Sequence, residues 1–298
     1  MPRMGRNEAT FEKKRVALIS VLAAVFLTGS KTVIGVLTGS LGILAEALHS
    51  GLDLIAAIIT YFSVRISDKP ADSDHHYGHG KVENLSALIE TILLFVTCVW
   101  IIYEAVHRIL TGRVHIEVTY WSYLVVIASI VIDYSRSRAL MKAARKHNSQ
   151  ALEADALHFS TDIWSSAVVF LGLICANLGW HFADAIAALL VAGIVIYVSY
   201  KLGKRSIDVL LDRAPEGLLD IISSAANEVP QVISVQDIRA RNAGADVFIE
   251  LCIRVDPTLT VDEAHKISHE FEQLLHARIA RCYVHLHQEP QAETDIEG

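Results

Sequence analysis

Six apolar segments of about 20 residues, each long enough to cross a bilayer as a helix, fill the first two thirds of this 298-residue chain. They cover residues 15–37, 41–63, 85–110, 120–141, 151–178 and 183–200. One such segment can be a buried core helix, but six in succession without a competing strand pattern predict a six-helix membrane domain. Only Thr38, Gly39 and Ser40 separate the first two segments, which predicts a tight hairpin.

Lys and Arg residues gather at alternate joins between these segments. They lie before the first segment, between the second and third, between the fourth and fifth, and after the sixth, whereas 38–40 and 177–184 contain none. Because basic loops stay on the cytoplasmic side, both termini are predicted to be cytoplasmic. Residues 1–14 are predicted to be an uncleaved cytoplasmic segment, since no small-residue cleavage site stands out and the apolar run after them continues into a longer pattern.

The charge changes sharply after the last apolar segment. Residues 1–212 carry a net charge of +1 and residues 213–298 a net charge of −8. The acidic tail alternates helix and strand patterns in the order αββαβ: helix 215–228, strands 232–240 and 247–255 joined by a turn at 242–244, helix 260–279 and strand 282–287. We therefore predict a membrane domain over 15–212 and a small two-layer α+β cytoplasmic domain over 213–298, of a kind that often forms homodimers.

Several classes of function are excluded. A net charge of −7 argues against nucleic-acid binding, which needs a basic surface. Four scattered cysteines form no disulfide framework and favour a reducing compartment for the tail. No Gly-rich phosphate loop, Ser-His-Asp set or H-E-x-x-H motif is present, so the chain is not expected to be an enzyme.

Two identical motifs point to a metal inside the membrane. His49 and Asp53 in the second segment, and His158 and Asp162 in the fifth, are each spaced i, i+4, which places both side chains on one helix face. Two nitrogens and two oxygens around one point suit tetrahedral Zn²⁺, and also Co²⁺ or, less readily, Fe²⁺. The alternative for each pair is a local His–Asp hydrogen bond that stabilises helix packing, but its repetition inside two spans favours the metal.

Such a site also predicts exchange. Histidine titrates near neutral pH, so protons compete with the metal for the same groups, and metal leaving as protons enter is antiport. Glu83 and Glu90 in the third segment fit an ion pathway, and helix-end or packing roles fit them equally.

The loop between the second and third segments offers a second group of ligands. Asp72, His75 and His79 have metal-ligand spacing in a Gly-bearing turn. A solvated polar turn facing the cytoplasm and a low-affinity site that collects metal are the alternatives.

A third group lies in the tail, where Cys252, His265, His287 and Glu289 favour a regulatory metal site. His269 and His276 are expected to be ordinary surface residues of a helix.

These residues resemble the cation diffusion facilitator family, in particular its bacterial zinc and ferrous-iron efflux branch. The stretches that carry the resemblance are SLGILAEALHSGLD, KPADSDHHYGHGKVE, EADALHFSTD and LLDRAPE, and it spans about residues 14–290. It implies a homodimeric divalent metal/proton antiporter of a bacterial inner membrane that works by alternating access. The exported ion would be Zn²⁺, with Fe²⁺, Co²⁺ or Cd²⁺ as further substrates. A membrane protein that senses metal or assembles partners without carrying metal is the alternative.

The resemblance also assigns residues. It implies that His49, Asp53, His158 and Asp162 form the transport site, with the His at position 49 typical of members that prefer zinc, and that Asp72, His75 and His79 form the loop site. Lys81 and Asp212 are implied to pair near the dimer axis and to hinge the spans against the tail.

The tail departs from the family pattern. The cytoplasmic site would comprise Gln236, Cys252, His265, His287 and Glu289, where the family's binuclear site has His at the first two positions and Asp at the last. Because Gln is a poor zinc ligand, we expect one metal in the tail rather than two, or weaker binding.

Overall fold

A computed structural model describes residues 3–38, 41–111, 120–177 and 183–291. Six long helices come first: α1 (Arg3–Thr38), α2 (Leu41–Ser67), α3 (Val82–Thr111), α4 (Tyr120–His147), α5 (Gln150–Asn177) and α6 (Ala183–Leu210). The tail contains α7 (Leu218–Ala226), β1 (Ser234–Ala243), β2 (Asp246–Val255), α8 (Val261–Arg278) and β3 (Cys282–Pro290). The predicted fold class, a helical membrane domain followed by an αββαβ domain, is confirmed.

The helices are longer than the apolar segments that predicted them. Residues 3–14, predicted as a separate segment, form the first turns of α1, because Glu and Lys side chains are good helix formers. Among the described residues, three helical segments are long and apolar enough to cross a membrane: Glu8–Leu37, Ala47–Ser67 and Val82–His107. The spans predicted at 120–141, 151–178 and 183–200 correspond to α4, α5 and α6, which do not meet the same measure within the described residues. The predicted hairpin turn at 38–40 lies largely outside the described residues.

The membrane helices pack as α1 on α2, α3 on α6 and α4 on α5, and α5 also contacts α2 and α3. Small buried residues such as Ala143, Ala144 and Ala151 let α4 and α5 approach closely around Leu140 and Phe159. Large apolar side chains point outward along α1 to α3; they include Leu22, Phe26, Ile55, Phe62, Phe95 and Trp100. An outward apolar surface around a polar interior is the arrangement that a lipid environment stabilises.

The tail domain is a three-stranded sheet with two helices on one face. β1 pairs antiparallel with β2, and β2 pairs parallel with β3 through the α8 crossover. Ile249, Leu251, Ile253 and Val255 alternate along β2 and pack under α7 and α8, where Phe271 is fully buried. A capping box opens α8: Glu263 N donates to Thr260 Oγ1 at 3.4 Å and Thr260 N donates to Glu263 Oε2 at 2.9 Å.

The hairpin turn differs from the sequence prediction. Asn242 and Ala243 remain in β1, paired with Val247 and Asp246, so the turn itself is only Gly244 and Ala245. Gly244 has φ +64, which a two-residue hairpin loop requires and which glycine adopts without strain. The longer predicted turn was wrong because side-chain pattern alone does not fix how tightly a hairpin closes.

This turn lies against the loop between α2 and α3. A Cβ atom added to Gly80 would collide with the backbone oxygen of Ala243, so only glycine permits the contact. Beside it, the Arg241 guanidinium lies 3.9 Å from the Tyr77 ring centroid, and Tyr77 meets Phe248 edge-on with centroids 5.1 Å apart. The loop and the sheet therefore form one packed junction between the two domains.

Candidate metal transport site

The paired motifs meet between α2 and α5. His158 Nε2 lies 3.0 Å from Asp53 Oδ1 and 3.7 Å from Asp162 Oδ2, and His49 Nε2 lies 3.7 Å from Asp162 Oδ1 and 4.0 Å from Asp53 Oδ1. Each histidine thus approaches both aspartates. Three of these residues, His49, Asp53 and Asp162, each have a ligand atom within 4.8 Å of the other two. His158 lies beside this group, and it approaches Asp162 through Oδ2, whereas His49 approaches Oδ1.

The site is buried unevenly. His158 is 3% exposed, whereas the His49 side chain is 36% exposed. Two buried atoms, His158 Nδ1 and Asp162 Oδ2, find no hydrogen-bond partner among the residues that the structure describes. Polar atoms buried without partners are costly, so the arrangement favours a cation that would complete their coordination or charge balance.

A lysine stands next to this site. Lys31 of α1 is buried, and its ammonium donates to Ser50 Oγ at 2.8 Å, one residue from His49. Sequence reasoning missed Lys31, Arg136 and Asp155 as members of the polar interior. The available signal was the small polar residues that recur within the apolar helices, such as Ser20 and Ser50, because a buried charge needs them as partners.

The predicted loop residues also come together. Asp72 Oδ1 accepts hydrogen bonds from the backbone N–H groups of His75 at 2.7 Å and Asp74 at 3.1 Å. His79 Nε2 lies 3.5 Å from Asp72 Oδ2, and the rings of His75 and His79 have centroids 4.4 Å apart. The backbone hydrogen bond from His75 is the main cause that lowers the pKa of Asp72, so this carboxylate is ionised at neutral pH. The turn is both solvated and shaped to offer a cation three ligand atoms.

The tail residues come together only in part. Gln236, Cys252 and His287 form one row across the sheet, on the face opposite α7 and α8, because they are register partners. His287 Nε2 lies 3.7 Å from Glu289 Oε1. His265 lies on α8, which packs on the other face of the sheet. Within one chain, His265 is therefore separated from Cys252, His287 and Glu289.

One hydrogen bond and the burial of one thiol limit metal binding in this row of residues. Gln236 Oε1 already accepts a hydrogen bond from Arg254 at 3.1 Å. Burial is the main cause that raises the pKa of the Cys252 thiol, so the thiolate needed for metal binding is disfavoured. His269 is exposed as expected, and His276 Nδ1 contacts the Cys282 sulfur at 3.2 Å.

The predicted charge pair at the domain boundary is formed. Lys81 Nζ donates to Asp212 Oδ1 at 2.7 Å, and Arg241 Nη1 lies 3.5 Å from Asp212 Oδ2. The Lys81 hydrogen bond is the main cause that lowers the pKa of Asp212.

Comparisons with known proteins agree with this architecture. Residues 17–211 match the model of the cation efflux transmembrane domain, and residues 214–291 match that of the cation efflux protein cytoplasmic domain. The cation-efflux pump FieF of Shewanella oneidensis is 32% identical over 285 residues, covering 95% of this chain and 96% of the relative. The magnetosome protein MamB of Magnetospira sp. is 32% identical over 255 residues, covering 85% and 86%.

Among solved structures, a MamM CTD variant in its nickel form is 32% identical and covers 26% of this chain and all of that chain, with a TM-score of 0.25. The two domain matches and the relatives of nearly full length settle the family. This chain belongs to the cation diffusion facilitators, a family of cation efflux transporters of the membrane.

Proposed function

We propose that this protein exports a divalent metal ion, Zn²⁺ in the first place, from the cytoplasm in exchange for protons. The observation that carries this proposal is that His49, Asp53 and Asp162 each place a ligand atom within 4.8 Å of the other two, with His158 Nε2 beside both aspartates. Two imidazoles and two carboxylates form a donor set that suits tetrahedral Zn²⁺. The two imidazole ligands favour Zn²⁺ over the harder ions that carboxylates alone would suit, and Fe²⁺, Co²⁺ and Cd²⁺ remain secondary substrates.

Antiport follows from the chemistry of the ligands. A metal ion binds only deprotonated imidazole and ionised carboxylate, so its arrival releases protons and its departure lets protons return. In our proposal the site faces the cytoplasm and the opposite side in turn, through rocking of α2 and α5 against their neighbours, so that each side loads one of the two substrates. The relatives named as cation-efflux pumps support export as the direction.

The remaining parts have supporting roles. We propose that Asp72, His75 and His79 collect metal at the cytoplasmic side, and that His287 and Glu289, with His265 supplied from elsewhere in the assembly, form a weak regulatory site beside the protonated Cys252 thiol. The cytoplasmic domain over 213–298 closes a homodimer, the spans over 15–212 are embedded in lipid of a bacterial inner membrane, and both termini face the cytoplasm. The basic joins on one side and the match to a cytoplasmic domain support this orientation.

Purified protein in vesicles with a zinc-sensitive dye and a pH gradient tests the proposal. We expect zinc accumulation driven by the proton gradient, and its loss in Asp53→Ala and Asp162→Ala. Asp220→Asn, an exposed carboxylate on α7, is the matched control and should transport normally. Normal flux in both transport-site variants would show that the assignment is wrong, and zinc binding without flux in the unaltered protein would favour the sensing alternative.

A further inference from the structure

A seam of buried polar residues runs between α2 and α3. Thr60, Ser63 and Ser67 on α2, and Glu83, Ser86 and Glu90 on α3, have the same spacing along their helices and are all buried. We call these six residues the polar seam. Ser67 Oγ donates to Glu83 Oε1 at 3.0 Å at the loop end, and Thr60 and Ser86 both donate to Glu90 Oε1 at the inner end. The seam thus connects the loop side of the membrane domain to Glu90.

The two ends of the seam differ in how their carboxylates are balanced. Glu83 forms an ion pair with Lys13 at 3.0 Å, and Lys13 also pairs with Asp68 at 2.6 Å. Glu90 is 0% exposed, and within the described part of the chain its partners are hydroxyl groups, whereas its Oε2 has no hydrogen-bond partner there. Glu83 therefore belongs to a structural ion pair with Lys13. Glu90, by contrast, is a buried acid that forms no ion pair with a described residue.

A second buried acid lies at the same level on α5. Asn84 Nδ2 donates to Gln150 Oε1 at 2.6 Å, which aligns the start of α3 with the start of α5. Glu90 is six residues beyond Asn84 and Asp155 is five beyond Gln150, so they lie roughly 9 and 8 Å further along two packed helices. Asp155 is also 0% exposed, and its Oδ1 has no hydrogen-bond partner in the ranges that the structure describes. Two acids of the same kind thus stand side by side.

The charges that face these acids come from three helices. Glu90 is under the electrostatic influence of Asp155 and His158, and Asp155 under that of Arg136, His158 and Asp53. Arg136 reaches Asp155 only through Ser20, whose hydroxyl accepts from Arg136 Nη2 at 3.1 Å and donates to Asp155 Oδ2 at 3.3 Å. Neither acid forms a direct ion pair among the described residues.

Position places these acids between the transport site and the loop. Thr60, which donates to Glu90, is seven residues after Asp53, or about 10 Å along α2 toward its loop end. Asp155 precedes His158 by one turn, on the side of the α5 start. An ion or proton that moves between the loop side and the transport site along α2 therefore passes this pair.

We propose that Glu90 and Asp155 together hold one exchangeable proton, separate from the four transport-site ligands, and release it along the polar seam to the loop side when the metal enters. Burying two ionised carboxylates without a cation is costly, so one carboxyl keeps its O–H bond while the transport site is empty. The positive charge of an arriving metal ion removes that cost. The O–H bond then breaks with both electrons left on the oxygen, and the proton passes to water at the loop end.

This inference rests on the proposed metal/proton exchange, and counting protons tests it. Zn²⁺ is titrated into the purified full chain in weakly buffered solution with a pH indicator, and protons released per bound ion are measured. Glu90→Gln keeps the size and the hydroxyl contacts but cannot ionise, so we expect about one proton fewer per zinc ion and zinc affinity within about threefold of the parent protein. The conservative variant Glu90→Asp should restore the parent count.

Asp155 supplies a second, independent test. Asp155→Asn should lower the proton count by the same amount, and the double variant should lower it no further, because one proton is shared. In vesicles, Glu90→Gln should still move zinc down its own gradient, but a pH gradient should accelerate this flux less than in the parent protein, because one of the exchanged protons is lost. An unchanged proton count in Glu90→Gln overturns the inference, as does a loss of zinc binding at unchanged protons per bound ion, which would make Glu90 a metal ligand. If the parent protein itself moves no metal, the proposed function fails instead.

Discussion

Lys81 at the start of α3 donates to Asp212, just beyond the end of α6, at 2.7 Å, and Lys81 Nζ also lies 3.3 Å from the Leu210 backbone oxygen. One lysine thus ties the end of the sixth helix to the loop that carries the candidate collecting site. Asp212 holds φ +60, a left-handed conformation that aspartate adopts more readily than most residues, so the chain turns from membrane domain to tail at the residue that receives the lysine.

The first prediction concerns the pH dependence of this pair. The pKa of Asp212 lies below its ordinary value of 3.8, so the stabilisation is fully present above that value and is lost as pH falls through the lowered folded value. Both side chains are partly exposed, and the coupling should be less than about 1 kcal/mol. A double-mutant cycle with Lys81→Met and Asp212→Asn, read by thermal unfolding, should show coupling near pH 7 that declines as the pH is taken below 3.8. Coupling that vanishes already near neutral pH would contradict this prediction.

The second prediction concerns the contact between the loop and the hairpin turn. Gly80→Ala should force the loop and the turn apart, at a cost of about 1–3 kcal/mol, and should make the boundary between the domains more sensitive to protease. Gly29→Ala is the control, because a Cβ there meets nothing within 4 Å. Equal melting temperatures for the two variants would show that the junction does not hold the domains together.

The third prediction separates collection from transport. Asp72→Ala removes both a ligand and the acceptor that shapes the turn, so the KM for zinc flux should rise severalfold while the rate at saturating zinc stays within about twofold. Asp74→Ala is the matched control, because Asp74 contributes a backbone donor and no ligand atom to the cluster. A fall in the saturating rate with unchanged KM would assign the loop to the transport step instead.

The fourth prediction concerns the tail. Gln236→His with Cys252→His would place three histidines in one row of the sheet, and zinc bound per tail should increase. Cys252→Ser alone should leave zinc binding unchanged, because burial keeps the thiol protonated. Zinc content after dialysis, measured in an Asp53→Ala, Asp162→Ala, Asp72→Ala background that also disables the loop site, isolates the tail. Loss of zinc in Cys252→Ser would show that the cysteine is already a ligand.

The sequence predicts contacts between residues that are close together in the chain better than contacts between distant elements. The i, i+4 motifs were readable because helix geometry alone places His49 with Asp53 and His158 with Asp162. The capping box of α8 was readable for the same reason. The contact between Glu90 and Thr60, by contrast, depends on how two helices pack, so it cannot be predicted from the spacing of residues within either helix.

The tail shows the same limit. Alternation predicted the strands, but the two-residue turn at Gly244 and the parallel partnership of β2 with β3 follow from the folded sheet. The prediction that His265 and Cys252 share a site likewise concerned residues far apart in the sequence. Within one chain, the sheet lies between these two side chains.

The uneven exposure of the transport site has a consequence for how an ion gives up its water. Because His49 is open and His158 is enclosed, we expect a hydrated ion to meet His49 first and His158 last. Each protein ligand then replaces one water molecule in turn. Dehydration is thereby divided into small steps, and a fully dehydrated ion without ligands never forms inside the bilayer. An ion that exchanges its bound water slowly would enter such a site slowly. The shape of the site can therefore contribute to selectivity among ions of equal charge.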